Sequence, residues 1–198
     1  MATEKGEGAD RVPSGPVSGL RPTNGVIATT DRLVLRTLRV DDIPALFKGF
    51  GDPGVMTWWS REAFADEAEL AAYLVPVDAT ESLVCVAADP ATDEAMLYCT
   101  AMPRARGQVE LGYLCLSQWQ GRGLVAEALT ALIDHVFASG DIRRIYADTD
   151  PDNDASNCLL ERLGFTLEGC LRENWFTHIG ARDSKIWGLL AREWRAND

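Results

Sequence analysis

The run Glu110-Leu111-Gly112-Tyr113-Leu114-Cys115-Leu116-Ser117-Gln118-Trp119-Gln120-Gly121-Arg122-Gly123 leads an apolar strand into a glycine-bearing loop. Behind the loop, Val125, Ala128, Leu129, Leu132, Val136 and Phe137 recur every three or four residues and predict a helix over 123–138. The first turn of a helix carries unpaired N–H groups and the positive end of its dipole. Glycines let that backbone approach a bulky anion with no Cβ in the way. The run therefore predicts a helix N-terminus able to hold phosphate. A P-loop lysine followed by Ser or Thr is missing, and so is the third glycine of the dinucleotide fingerprint. Taken alone, Gly121-Arg122-Gly123 is equally an ordinary strand-to-helix turn.

Upstream, Leu33, Leu35 and Leu38 suggest a first strand over 32–38. Asp41 then reads as an N-cap for a helix bearing Ile43, Leu46, Phe47 and Phe50, and Asp52-Pro53-Gly54 breaks it. A second helix follows over 66–75. Three apolar runs, 82–88, 94–102 and 109–116, read as consecutive antiparallel strands. Downstream of the loop helix come a strand at 144–148, a helix at 153–163 and two last strands at 165–170 and 184–191. This order predicts an α/β (α+β) fold: one mixed, mostly antiparallel sheet of about six or seven strands, flanked by helices. Residues 1–25, rich in Gly, Pro, Ser and charge, read as a flexible tail, and 26–198 as the single domain.

The formal net charge of −11 argues against sequence-independent nucleic-acid binding, which needs a basic surface. The apolar runs are too short to span a bilayer, and the N-terminus has no apolar stretch of a signal peptide. A cytoplasmic protein is expected. The five cysteines lack Cys-x-x-Cys pairing, and with His135 and His178 they have no zinc-ligand spacing; they are expected to be reduced, buried thiols. Both histidines are expected at the surface.

With the motifs set out, the chain resembles the GNAT superfamily of N-acetyltransferases. Gln118-Trp119-Gln120-Gly121-Arg122-Gly123 fits its Q/R-x-x-G-x-G/A signature. The Rim-type branch, the bacterial ribosomal-protein N-terminal acetyltransferases, shares Glu110-Leu111-Gly112-Tyr113, Asn153-Asp154-Ala155-Ser156-Asn157 and Leu163-Gly164-Phe165-Thr166-Leu167-Glu168-Gly169. The resemblance runs from about Thr29 to Trp194.

That resemblance implies acetyl-CoA as cofactor, with Gln118, Trp119, Gln120, Gly121, Arg122, Gly123 and Leu124 around the pyrophosphate. It implies backbone groups of Leu114, Cys115 and Leu116 along the pantetheine arm, one of them facing the thioester oxygen. Asn153 matches a residue that contacts the pantetheine amides, and Ser156 one near the sulfur; both also suit helix capping. Glu110 is a candidate general base, or else a structural carboxylate. Trp58, Trp59 and Trp175 are candidate walls for the acceptor, although core packing is the usual fate of aromatic residues. The tyrosine that serves many relatives as general acid is replaced by Leu160, and Glu173 lies slightly out of register with a glutamate implicated in the branch.

The expectation is transfer of an acetyl group to a primary amine, a protein N-terminus or a small molecule, with a homodimer as an allowed assembly. A non-catalytic acyl-CoA sensor is the alternative.

Overall fold

Eight strands lie in one sheet in the order β1-β2-β3-β4-β5-β6-β8-β7 in a computed structural model that describes residues 20, 25–75, 82–139 and 141–194. In chain order these are β1 (Val26–Thr29), β2 (Val34–Thr37), α1 (Ile43–Phe50), α2 (Glu67–Leu74), β3 (Leu83–Ala88), β4 (Ala95–Ala105), β5 (Gln108–Cys115), α3 (Leu124–Ala138), β6 (Arg144–Thr149), α4 (Asp154–Arg162), β7 (Thr166–Thr177), β8 (Gly180–Leu190) and α5 (Ala191–Trp194). The mixed, mostly antiparallel sheet is as expected, with one strand more. The addition is β1, whose four residues pair with β2 across an irregularity and carry little apolar pattern of their own. The last hairpin is also longer than its hydrophobic runs suggest, because β7 is an edge strand exposed along nearly its whole length.

Each face of the sheet buries its own core. One face packs α3 and α4 through Leu129, Leu132, Val136 and Leu160 onto Val109, Leu111, Ile145 and Ala147. The other packs α1 and α2 through Leu46, Phe50 and Leu70 onto Val84, Tyr98, Leu114 and Leu116. A Cβ added at Gly49 would meet the Leu116 and Leu114 side chains at 2.6 and 2.9 Å, so a residue without Cβ lets α1 lie directly on β5.

Helix starts follow local chemistry, with one shift. Asp66 caps α2 by accepting from the Glu69 amide at 2.8 Å. Asp41 does not cap α1. The chain makes a 3-10 turn over Val40–Asp42 first, and Asp42 turns inward to accept two hydrogen bonds from Arg36, both 2.8 Å, in a pair that is almost wholly buried.

The expected tail lies mostly outside the described residues. Leu20, which is described, is buried in the α3-side core, and its carbonyl bonds the His135 imidazole at 2.8 Å. His135 is therefore half-buried rather than free at the surface, while His178 is exposed. The cysteines divide as well: Cys85 and Cys99 are buried and Cys115 half-buried, but Cys158 and Cys170 are exposed. Cys170 departs from expectation because its strand is an edge with no layer over it. Among the described residues no helix is long and apolar enough to cross a membrane.

Candidate active site

The sheet comes apart at one joint. Strands β5 and β6 are its parallel pair, and they stay in register for three positions only: Gln108↔Arg144, Val109↔Ile145 and Glu110↔Tyr146. Beyond Glu110, β5 runs on to Cys115 paired with β4 alone, while β6 runs on to Thr149 paired with β8. A wedge-shaped gap opens between them. The Leu116 amide donates to the Met96 carbonyl on the β4 side. Strand alternation then turns the backbone of Gly112 and Leu114 to β4 as well, and that of Tyr113 and Cys115 to the gap. The backbone groups sought at Leu114, Cys115 and Leu116 thus reduce to those of Cys115, joined by Tyr113. The Leu114 and Leu116 side chains are core.

The loop closes one end of this gap. Ser117–Trp119 make a 3-10 turn, and the Gln120 side-chain amide donates to the Cys115 carbonyl at 3.1 Å, tying loop to strand. Gly121 and Gly123 take φ of +72° and +75°, left-handed values that a side chain resists. Gly123 is the N-cap of α3, and nothing lies within 4 Å of a Cβ built on Gly121. Gln118 and Arg122 are exposed, and the Arg122 guanidinium lies 4.9 Å from the centre of the Trp119 ring. Leu124 points into the core. The Trp119 indole N–H is buried with no hydrogen-bond partner among the described residues.

A support of the loop is not visible in its own sequence. Glu127, one turn into α3, accepts from Thr30 Oγ1 at 2.5 Å and from Arg32 Nε at 2.6 Å. Arg32 Nη1 in turn donates to the Arg122 carbonyl at 2.9 Å. This charge-assisted tie spans some ninety residues of chain, so no local pattern announces it.

At the closed end of the gap, on the α1–α2 side, sits Glu110. Arg104 Nε at 2.6 Å and the Tyr146 hydroxyl at 3.1 Å both donate to its Oε2, leaving Oε1 without a partner among the described residues. Burial, with Glu110 next to it, pushes the Tyr146 phenol up to about 12, so it remains a donor at ordinary pH. Two residues along β6, Asp148 faces the same side. It accepts from the Trp175 indole at 2.9 Å. Asp150 follows, held by Arg182 at 2.7 and 2.8 Å, and the Arg182 guanidinium lies 5.8 Å from the Trp58 ring centre. The Arg182 pair lowers the Asp150 pKa.

Two of the three tryptophans thus border the gap. Trp58 is 37% exposed and Trp175 46%. Trp59 does not join them: it packs edge-on to Phe50 at 5.4 Å and belongs to the second core. Adjacent residues on a compact turn cannot both face one side. Glu173 is exposed. It has φ +48° within a bulge between Leu171 and Trp175, and its amide donates to Asp183 Oδ1 at 2.7 Å. That bulge gives β7 two extra residues there and carries Asn174 and Trp175 across to Asp148.

On the α3–α4 side, the loop after β6 delivers the start of α4. Asn157 satisfies four partners there: its Nδ2 donates to the Asp150 and Pro151 carbonyls, and its Oδ1 accepts from Thr149 and Trp187. On this anchored loop, Asn153 Oδ1 caps the Ser156 amide at 3.2 Å. Its Nδ2 has no partner among the described residues. Leu160 is fully buried, so the usual acid position faces core and not the gap. A shallow groove of about 550 Å³ elsewhere, between β1 and α3, is lined by none of the candidate residues.

Residues 32–166 match a family model described as an acetyltransferase (GNAT) domain. An uncharacterised N-acetyltransferase of Bacillus licheniformis, p20, is 30% identical over 175 residues, spanning 83% of this chain and 96% of the relative. The ribosomal protein uS5-alanine N-acetyltransferase of Escherichia coli is 39% identical over 84 residues, 42% of this chain and 43% of that enzyme. In fold, the chain is similar to spermidine N-acetyltransferase of Vibrio cholerae, solved with CoA and spermine, at a TM-score of 0.74 and 21% identity, covering 84% of this chain and 99% of that one.

Proposed function

From membership of the GNAT acetyltransferase family, to which this chain belongs, we propose that it acetylates a primary amine that enters the β5–β6 gap from the α1–α2 side. The carrying observation is the gap itself, with a glycine-bearing helix N-terminus at one mouth and the carboxylates of Glu110 and Asp148 beside the other. Acetyl-CoA is the cofactor, and it supplies an acyl thioester. The chain's residues fit it. The amides at Gly121–Gly123 would hold the pyrophosphate, and the backbone of Tyr113 with the Cys115 N–H would line the pantetheine arm as a strand edge does. The buried Tyr113 hydroxyl and Trp119 indole N–H, without hydrogen-bond partners among the described residues, leave polar groups for a ligand.

Glu110 Oε1 takes a proton from the entering ammonium and releases it to solvent, and once the nitrogen is acylated it takes the next one. Arg104 and Tyr146 hold Oε2 so that the other oxygen points to the gap. The Cys115 amide would serve as donor to the thioester carbonyl oxygen, where one preorganised donor contributes about 2.7–4 kcal/mol. Asp148 and the Trp58 and Trp175 rings favour a cationic acceptor. An N-terminal peptide amine and a small-molecule amine share this chemistry.

Thiol release from acetyl-CoA over a panel of N-terminal peptides and small amines tests the reading. Turnover is expected with at least one, and Glu110→Gln is expected to lower kcat about 10²–10⁴-fold with the KM for acetyl-CoA unchanged. Binding of CoA with no turnover across the panel, and no effect of Glu110→Gln, would instead return a sensor.

A further inference from the structure

Glu168 lies on β7, three strands away from Glu110. It is the extra residue of a bulge, where Leu167 faces Trp187 and Gly169 faces Ile186 across β8. Its carboxylate meets the Arg144 guanidinium of β6 in a two-pronged pair, Nη1 to Oε1 at 2.5 Å and Nη2 to Oε2 at 2.6 Å. Only 16% of the Arg144 side chain is exposed, and Glu168 is the one carboxylate it pairs with among the described residues.

Beneath the pair lies Gly188. On β8 it stands directly opposite Tyr146 of β6, and a Cβ built on it would collide with both Glu168 Oε1 and Arg144 Nη1. Its backbone has no left-handed φ, so glycine serves here to leave room. The salt bridge occupies the place where a side chain at 188 would stand, and directly opposed residues of an antiparallel pair carry their Cβ atoms about 4.5–5.5 Å apart. The pair is therefore packed against the flank of Tyr146. The guanidinium carbon lies 5.7 Å from the Tyr146 ring centre, within the distance at which a ring attracts a cation. At the far end of that ring the hydroxyl donates to Glu110 Oε2, which Arg104 holds from the other side. One row of side chains thus crosses the sheet face from β7 to β4: Glu168, Arg144, Tyr146, Glu110 and Arg104.

We infer that Arg144 and Glu168 are positioning residues for Glu110. Their salt bridge, seated on Gly188, braces the Tyr146 ring so that its hydroxyl keeps hold of Oε2 and Oε1 stays aimed at the acceptor nitrogen. This rests on the reading of Glu110 as the general base. Proton transfer needs the base within hydrogen-bond reach and aligned, and a glutamate stem swings unless its other oxygen is fixed.

The test compares Gly188→Ala, Glu168→Gln and Tyr146→Phe, each alone and on a Glu110→Gln background, by kcat, both KM values and thermal midpoint. Gly188→Ala pushes the pair apart with every charge retained. It and Glu168→Gln should each lower kcat about 2–5-fold, and Tyr146→Phe about tenfold, with the acetyl-CoA KM unchanged in all three. On the Glu110→Gln background none of the three should lower kcat further, because the group they position is gone. Glu168→Gln, on an exposed edge strand, carries the test if Gly188→Ala fails to fold. An unchanged kcat in Glu168→Gln, or the same loss with and without Glu110, overturns the brace while the acetyltransferase reading stands. If Glu110→Gln itself leaves kcat unchanged, the base assignment falls and the brace with it. Absence of turnover with every acceptor overturns the acetyltransferase reading as well.

Discussion

The two mouths of the β5–β6 gap are made of different material. The proposed cofactor side is main chain: a strand edge at Tyr113 and Cys115, a loop with two left-handed glycines, and a helix start, the last two held from behind by Arg32, Glu127 and Thr30. The proposed acceptor side is side chain: Glu110, Asp148, Trp175, Arg182 and Trp58, drawn from separate places in the sequence and each held by a polar or charged partner. Main-chain groups are common to every sequence that folds this way, so they suit the constant half of a reaction. Side chains can be exchanged one at a time, so they suit the half that decides what is acetylated.

That division can be broken by substitution. The largest expected effect is at Gly123→Val. A β-branched side chain at φ +75° costs about 1–2 kcal/mol. Steady-state kinetics should show the acetyl-CoA KM raised about 5–30-fold, with the acceptor KM unmoved. Trp175→Phe comes next. It removes the indole donor from Asp148, worth about 1 kcal/mol at this exposed position. The acceptor KM should rise about fivefold, with acetyl-CoA kinetics as in the wild type. The smallest effect is at Arg32→Ala, where the ion pair with Glu127 is half-exposed and contributes about 0.2–1 kcal/mol. Here the acetyl-CoA KM should rise by about five-fold or less. If Trp175→Phe changes the acetyl-CoA KM, or Arg32→Ala the acceptor KM, the two mouths are one site and the division fails.

Legibility in the sequence follows the same line. The glycine loop, the helix behind it and the strand before it are local and periodic, and each was placed within a residue or two by pattern alone. The order of the elements likewise foretold a mixed sheet. The acceptor wall was legible only in pieces. Glu110 could be singled out, but Tyr146 and Asp148 join it only once the parallel register Glu110↔Tyr146 is known. Trp58 and Trp59 are indistinguishable in sequence, and a compact turn decides between them. Glu173 drew attention through the family resemblance, yet it sits at positive φ in a bulge, and Trp175 is the residue that reaches Asp148. Tyr113 was in plain view within a motif, but the burial of its hydroxyl without a hydrogen-bond partner among the described residues is a property of its surroundings and leaves no mark in the chain.

The three-residue joint between β5 and β6 has a thermodynamic side too. It is a short lateral seam near the middle of an eight-stranded sheet, and the β5 edge beside it has no strand partner among the described residues. A ligand that fills the wedge binds the folded chain and not the unfolded one, so it adds RT ln(1 + [L]/Kd) to the free energy of unfolding, about 2.7 kcal/mol at a hundredfold excess over Kd. Against the about 5–15 kcal/mol of a typical domain, that is a sizeable share. The resistance of this protein to heat and proteolysis is therefore partly a readout of how much cofactor surrounds it.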